Sequence, residues 1–234
     1  MIGKMVFTPA SPASLFVFEA VLISILVALF LGTHIAARKN TLKTVVFVLV
    51  WLGLGTFIVE SGILSSSPMP LVPLFLLLMN AAALAFSLSP LGLSLATGLP
   101  LQALVGFQGF RLVLELVLHS WAEQGTIPTT MTWSGQNFDI VSGIVALILA
   151  PFAVRWRFTA WVANLVGVFL LLNVMRVAVL SSPLPFAWDV DPPLQLAFHF
   201  PYFLIVPLCV GGALAGHVIL TRALIAKKAL SAHR

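Results

Sequence analysis

The sequence predicts an all-α, polytopic transmembrane helix bundle of seven spans, with the N-terminus outside and the C-terminus cytoplasmic. Composition, long apolar runs and the distribution of cations carry that prediction. Of 234 residues, 60% are hydrophobic and 8% charged, with a mean hydropathy of +1.11, whereas about a quarter of an ordinary soluble domain is charged. Runs long enough to cross about 30 Å of hydrocarbon recur along the chain. Arg38, Lys39 and Lys43 follow the first run, Arg155 and Arg157 the fifth, and Arg222, Lys227, Lys228 and Arg234 the seventh. The intervening loops carry Glu123, Asp139, Asp189 and Asp191 instead. Lys- and Arg-rich loops stay cytoplasmic, which orients the chain. The same scatter argues against nucleic acid, because the net charge of +5 is not gathered on one basic face.

The first run, residues 13–36, exceeds the roughly 7–15 apolar residues of a signal peptide and lacks a small-x-small cleavage site before Arg38 and Lys39. It is therefore a retained helix, and it carries Glu19. The second run, 44–64, holds Glu60 and ends in the uncharged turn Ser65-Ser-Ser-Pro68-Met-Pro70. The third covers 71–88, the Gly-, Ser- and Pro-bearing stretch 89–100 reads as a link, and a re-entrant segment or extra break within 71–100 would change the span count. The fourth run is 101–121. Residues 120–137 form the longest polar loop, expected outside. The fifth run is 138–154, the sixth 159–180 with Asn164, Asn173 and Arg176, and the seventh 196–220 with His199 and His217, bent at Pro201 and Pro207. Within it Gly212-Ala-Leu-Ala-Gly216 predicts close helix packing.

The fourth run carries the chemistry. Gln108, Arg111, Glu115 and His119 occupy about 80° of one helix face over roughly 16 Å. Inserting Arg and Glu near the bilayer centre costs about 5–7 kcal/mol, and the apolar neighbours return on the order of 5. Such a helix is stable only where other helices satisfy its polar groups.

The topology puts Glu115, His119, Arg176 and His199 in the outer half, Arg111 near the middle, and His34 and His217 at the inner side. Arg111 and Glu115 are expected to pair at i, i+4, Glu19 with Arg176 between helices, and Asp139 with the positive end of the fifth helix. Asn173 and Asp139 complete the candidate polar cavity. His119 and His199 are the candidate metal ligands, with Glu115 or Asp139 as a third donor, although no HExxH or HxxxH spacing is present. His119 with His199 and His34 with His217 are also the pairs that two haems would need, but they come from three helices. No cofactor is named by the sequence. Cys209 stands alone, which excludes an intramolecular disulfide and predicts a packed thiol. Trp121, Trp133 and Trp188 read as interfacial belt residues.

The ends Ile63–Leu71 and Val179–Phe186 share a Ser-Ser and Pro-x-Pro pattern, as parallel three-helix repeats would; Ser and Pro are also common wherever apolar helices stop. The chain has neither the Pro-Gln of small sugar transporters nor the span lysine of retinal proteins. Phe110-Arg111-x-x-x-Glu115-Leu-x-x-His119, followed by Pro128-x-x-Met131-Thr132-x-x-Gly135-x-Asn137-Phe138-Asp139-Ile140, resembles a family of uncharacterised bacterial multi-pass membrane proteins. That resemblance implies a plasma (inner) membrane setting and a shared site, without a mechanism. The expected function is an outward-facing intramembrane polar site that binds or transports a small molecule or protons. The alternatives are an outer-leaflet enzyme, metal-dependent or not, and an accessory subunit of a membrane complex. Besides the lipid bilayer, the partners left open are a small-molecule ligand, another protein or a second copy of the chain.

Overall fold

A computed structural model describes residues 6–66 and 71–232. Most of the turn expected over 65–70, and Arg234, lie outside those residues. All regular structure among the described residues is helical. Four helical stretches are long and apolar enough to cross a membrane: Pro12–Glu60, Leu101–Glu123, Arg157–Ser181 and Tyr202–Ala226. The bent pair Val72–Leu88 and Pro90–Gly98 makes a fifth if it is one span. The helices are named α1 (Pro12–Ala37), α2 (Thr41–Glu60), α3 (Leu71–Leu88), α4 (Pro90–Gly98), α5 (Leu101–Glu123), α6 (Ile140–Val154), α7 (Arg157–Ser181) and α8 (Gly211–Ala232). Large apolar side chains such as Ile23, Leu54 and Phe169 lie exposed on the outer faces of α1, α2 and α7, as lipid contact requires and water disfavours.

The 49 residues of Pro12–Glu60 would measure about 73 Å as one helix. They fold back instead. Ala37 leaves the helical region at φ −154°, ψ 55°, and the two ends then meet neighbouring residues. The Ala10 amide donates to Tyr202 Oη at 2.9 Å, while a Cβ on Gly55 would come within 3.1 Å of the Phe203 ring. Trp121 is also drawn into this corner: its Nε1 donates to Ser14 Oγ at 3.1 Å, and its ring packs edge-on against Phe18 and Tyr202. It is fully buried, so the belt reading fails for Trp121.

The link expected over 89–100 is largely helical. Ser89 caps α4, its Oγ accepting from the Leu91 and Gly92 amides at 3.2 and 3.3 Å, and Pro90 follows at the first turn, where a missing N–H costs nothing. A Cβ on Gly92 would lie 2.0 Å from the Ser87 carbonyl. Glycine is thus what lets α4 leave α3 at 59°. Arg222 closes the bend by donating to the carbonyls of Ser87 and Ser89.

The fifth apolar run is shorter than expected as an α-helix, because Asp139 precedes Ile140 and the last turns, Ala150–Val154, are 3-10. Fifteen residues reach only about 22 Å, less than a bilayer core. Residues 124–139 lead down to its start. They run back along α5, since Asn137 meets Glu115 and Asp139 meets Arg111, four residues nearer the start of the helix. Thr126, Ile127, Met131, Thr132 and Asn137 are buried on the way. The longest polar loop is therefore partly buried as a strap, held in by the polar groups of α5 that need partners.

Apolar attraction between helices is weak in lipid, so close backbone approach matters. A Cβ on Gly143 of α6 would lie 2.4 Å from the Leu112 amide of α5, and one on Gly216 of α8 would lie 2.6 Å from Gln108 Nε2. The packing role of the glycine pair in the last helix holds at Gly216. The seventh run is not one helix from 196: short 3-10 turns at Leu196–Phe198 and Tyr202–Leu204 lead into a π segment, Ile205–Val210. Pro207 sits inside that segment, where its missing N–H and its ring disrupt α-helical bonding.

Candidate functional site

Four elements converge on Arg111, which is 1% exposed. From α5 its Nε donates to Asp139 Oδ2 at 2.6 Å and its Nη2 to Asp139 Oδ1, a two-pronged ion pair. Its Nη1 donates to the Gly167 carbonyl of α7 at 3.1 Å and meets His217 Nε2 of α8 at 3.0 Å. A guanidinium has only donors, so His217 Nε2 must accept and the ring proton sits on Nδ1. That proton points to Asn164 Oδ1 at 3.0 Å. Asn164 Nδ2 in turn donates to Thr221 Oγ1 at 2.7 Å, whose hydroxyl donates to the His217 carbonyl at 2.8 Å. One tautomer of His217 satisfies the whole relay from Arg111 to Thr221. Gly167 makes room, because a Cβ there would lie 2.3 Å from His217 Cε1.

The expected Arg111–Glu115 pair is not formed. Arg111 spends its fork on Asp139, and Glu115 takes both oxygens to Asn137 Nδ2, at 2.8 and 3.0 Å. An i, i+4 pair within one helix cannot match the planar, two-pronged geometry that a carboxylate from another segment offers. Asn137 also donates to the Met131 carbonyl at 3.1 Å and accepts from the Asp139 amide at 3.1 Å, so one amide fastens the strap to α5. Asp139 precedes α6, but its side chain does not cap the helix; its Oδ1 accepts from Ser142 at 3.0 Å. The capping expectation is corrected to an ion-pair role. One guanidinium thus stands against two carboxylates, and Glu115 is the one without a cation.

Arg111, Glu115 and Asp139 lie on the wall of a cavity of about 350 Å³ bounded by α3, α5, α7 and the segment leading into α8. Its other walls are mainly apolar, including Leu76, Leu114, Leu171 and Ile205. Asn80 of α3 is a further polar group on that wall. Its Nδ2 donates to Leu76 O at 2.9 Å, while its Oδ1 is buried without a partner.

The other expected site residues lie apart from this cluster. Arg176 is exposed, accepted by Asn173 Oδ1 at 3.0 Å and held 5.6 Å over the Trp188 ring. Asn173 also donates to the Gln136 carbonyl at 2.8 Å. Glu19 is exposed too, and no ion pair joins it to Arg176. His119 stacks on Trp133 at 4.1 Å, with Nε2 3.7 Å from Glu123 Oε1. His199 stacks on Phe7 at 3.9 Å; burial lowers its pKa, opposed by the nearby Glu60 carboxylate. The two rings have separate partners, and among the described residues no three His, Cys, Asp or Glu side chains gather where a metal could be held. His34 is exposed while His217 is buried, so that pair is not formed either.

Sequence reasoning left Asn137, Asn164 and Thr221 out of the site and paired His217 with His34 instead of Arg111 and Asn164. A signal for two of them was present: His217 and Thr221 are spaced i, i+4 on one apolar helix, a polar stripe like that of α5. Compared with known protein families, curated proteins and solved structures, the chain matches none of them.

Proposed function

We propose that this chain is an integral protein of a bacterial plasma membrane, crossing it seven times with its N-terminus outside, and that it binds or transports a small molecule through the cavity beside Glu115. The bacterial setting rests on the resemblance of the Phe110–His119 and Pro128–Ile140 patterns, and the orientation on the cation distribution. Under that orientation the cavity faces outward, because the segment joining α7 to α8 contributes Ser182, Leu184, Phe186, Leu194 and Phe198 to its lining.

The observation that carries the reading is a fully buried Glu115 with no cation, on the wall of an otherwise largely apolar cavity large enough for a small organic molecule. Ion pairs in apolar surroundings are often no more stable than hydrophobic replacements, and ionisable residues within spans usually mark ligand or proton pathways. In this reading the apolar walls take the body of the ligand, while Arg111 holds Asp139 and through it the strap that carries Asn137. Glu115 is left to meet the polar end.

Thiol labelling tests orientation and cavity together. In a Cys209→Ser background, Ser134→Cys and Ala178→Cys should react with a small membrane-impermeant thiol reagent from outside, and Arg155→Cys from the cytoplasmic side. Reaction of Ser134→Cys and Arg155→Cys from one side would overturn the topology. Failure of Ala178→Cys to react from outside would overturn the outward-facing cavity.

A further inference from the structure

We infer that the ligand of this cavity is an organic cation with N–H donors: a protonated amine on an apolar body, its ammonium held at Glu115 and Asn80. This deepens the proposed function and rests on the cavity being open to a ligand.

Arg111 is the cavity's cation, but four of its five N–H groups are engaged, Nε and one of Nη2 by Asp139 and two on Nη1 by Gly167 and His217. An anionic ligand would have to compete with Asp139 for a guanidinium already paired. The free capacity lies with acceptors. A carboxylate offers about four lone-pair sites, and among the described residues Glu115 receives hydrogen bonds only from the Asn137 amide. Asn80, 91% buried from its 9% exposure, presents a carbonyl oxygen with no partner on the same cavity wall. A buried acceptor left unmade is costly, and N–H donors on a ligand are what both residues can accept.

Charge points the same way. An incoming ammonium can take the Glu115 carboxylate as its counter-ion, whereas an anion finds the cavity's guanidinium already paired with Asp139. The loop between the lining residues Phe186 and Leu194 carries exposed Asp189 and Asp191, and Arg176 beside it is stacked over Trp188. That field favours cations on approach. The remaining walls, with Leu114, Leu171, Val174 and Ile205 among them, select a body that is apolar and not a metal ion or a polyamine.

The test is protection of Ala178→Cys, in the full-length Cys209→Ser chain in nanodiscs, against the impermeant thiol reagent. Three probes of one chain length are compared: decylamine at neutral pH, decanol and decanoate. Decylamine should slow labelling at concentrations at least about tenfold below those of the other two, the difference a charged hydrogen bond makes. Glu115→Gln should erase that preference. Asn80→Leu, which removes an oxygen with no partner in the protein, should weaken decylamine about threefold and leave decanol unchanged. If decanoate or decanol protects as well as decylamine, or if none of the three protects an accessible cysteine, the cation inference falls while the cavity stands. The cation inference falls equally if Asn80→Leu and Glu115→Gln both leave decylamine protection intact. Only an Ala178→Cys that cannot be reached from outside removes the cavity reading itself.

Discussion

Two cavities of nearly equal size border α5 and the α8 region, and their chemistry differs completely. One, of about 320 Å³, lies between them and α1 to α4, lined by Ile25, Phe47, Trp51, Leu95 and Phe107 without a charged side chain. The other, of about 350 Å³, holds Arg111, Glu115, Asp139 and Asn80. The apolar cavity can arise simply because rigid helices that cross at an angle do not fill space, and its Trp51 Nε1 is merely left without a partner. The polar cavity cannot be explained so cheaply. Every charge on its wall carries a desolvation cost, and three chain segments, α7, α8 and the strap, bring partners to one guanidinium.

The largest expected effect tests whether those charges act as one unit. Arg111→Met leaves Asp139 buried without its cation, which should cost about 3–5 kcal/mol, read as a drop in thermal stability in detergent. Asp139→Asn should cost a similar amount, and the double variant clearly less than the sum, since both remove one interaction. Arg111→Met combined with Glu115→Gln should be closer to additive, because Glu115 bonds Asn137 and not Arg111. The reverse pattern, with coupling to Glu115 and none to Asp139, would dissolve the Arg111–Asp139 ion pair. Trp51→Phe in the apolar cavity should shift stability by less than about 1 kcal/mol, since no hydrogen bond is lost.

The uneven legibility of the sequence has the same physical origin. Hydropathy finds helices because any span must be apolar for about 20 residues, so α1, α2, α3, α5 and α7 are readable to within a few residues. The stripe on α5 is readable too, and Gln108, Arg111 and Glu115 are indeed buried together. Periodicity, however, reports only which residues share a helix face, not what faces them. It offers Glu115 as the neighbour of Arg111, whereas Asp139 arrives on a strap whose polar composition resembles an exposed loop. Depth fails for the same reason. A seven-span count assumes that each run starts at the membrane surface, which puts Asp139 high and His217 low, yet both bond to Arg111 because α6 begins deep in the protein.

A smaller effect sharpens the contrast between the cavities through glycine. Gly167 lets α7 approach His217, and Gly167→Ala would drive a methyl to 2.3 Å from the ring, against a histidine fixed at both nitrogens. Overpacking of this kind costs about 1–3 kcal/mol. Gly212 lines the apolar cavity, where a Cβ would meet nothing nearer than Ile25 at 3.5 Å, so Gly212→Ala should be tolerated within about 0.5 kcal/mol. Equal losses in thermal stability for the two would mean that the polar cluster can shift to accommodate a methyl.

The smallest effect lies outside both cavities, at His199, which precedes the apolar stretch Tyr202–Ala226. Its ring is stacked on Phe7, and burial holds its pKa below the ordinary 6.5, with Glu60 pulling the other way. The unfolded chain therefore takes up this proton at a higher pH than the folded one. As pH falls below about 6.5 the unfolded state binds more protons, and stability declines until the folded ring protonates as well. Because the side chain is partly exposed, the slope should be shallow. Melting temperatures between pH 7.5 and 5.0 for the wild-type chain and for His199→Gln should diverge in this sense, the wild type losing more on acidification. A His199→Gln variant that loses as much over the same range would assign the acid sensitivity to other groups, and the Phe7–His199 stack would then have no part in it.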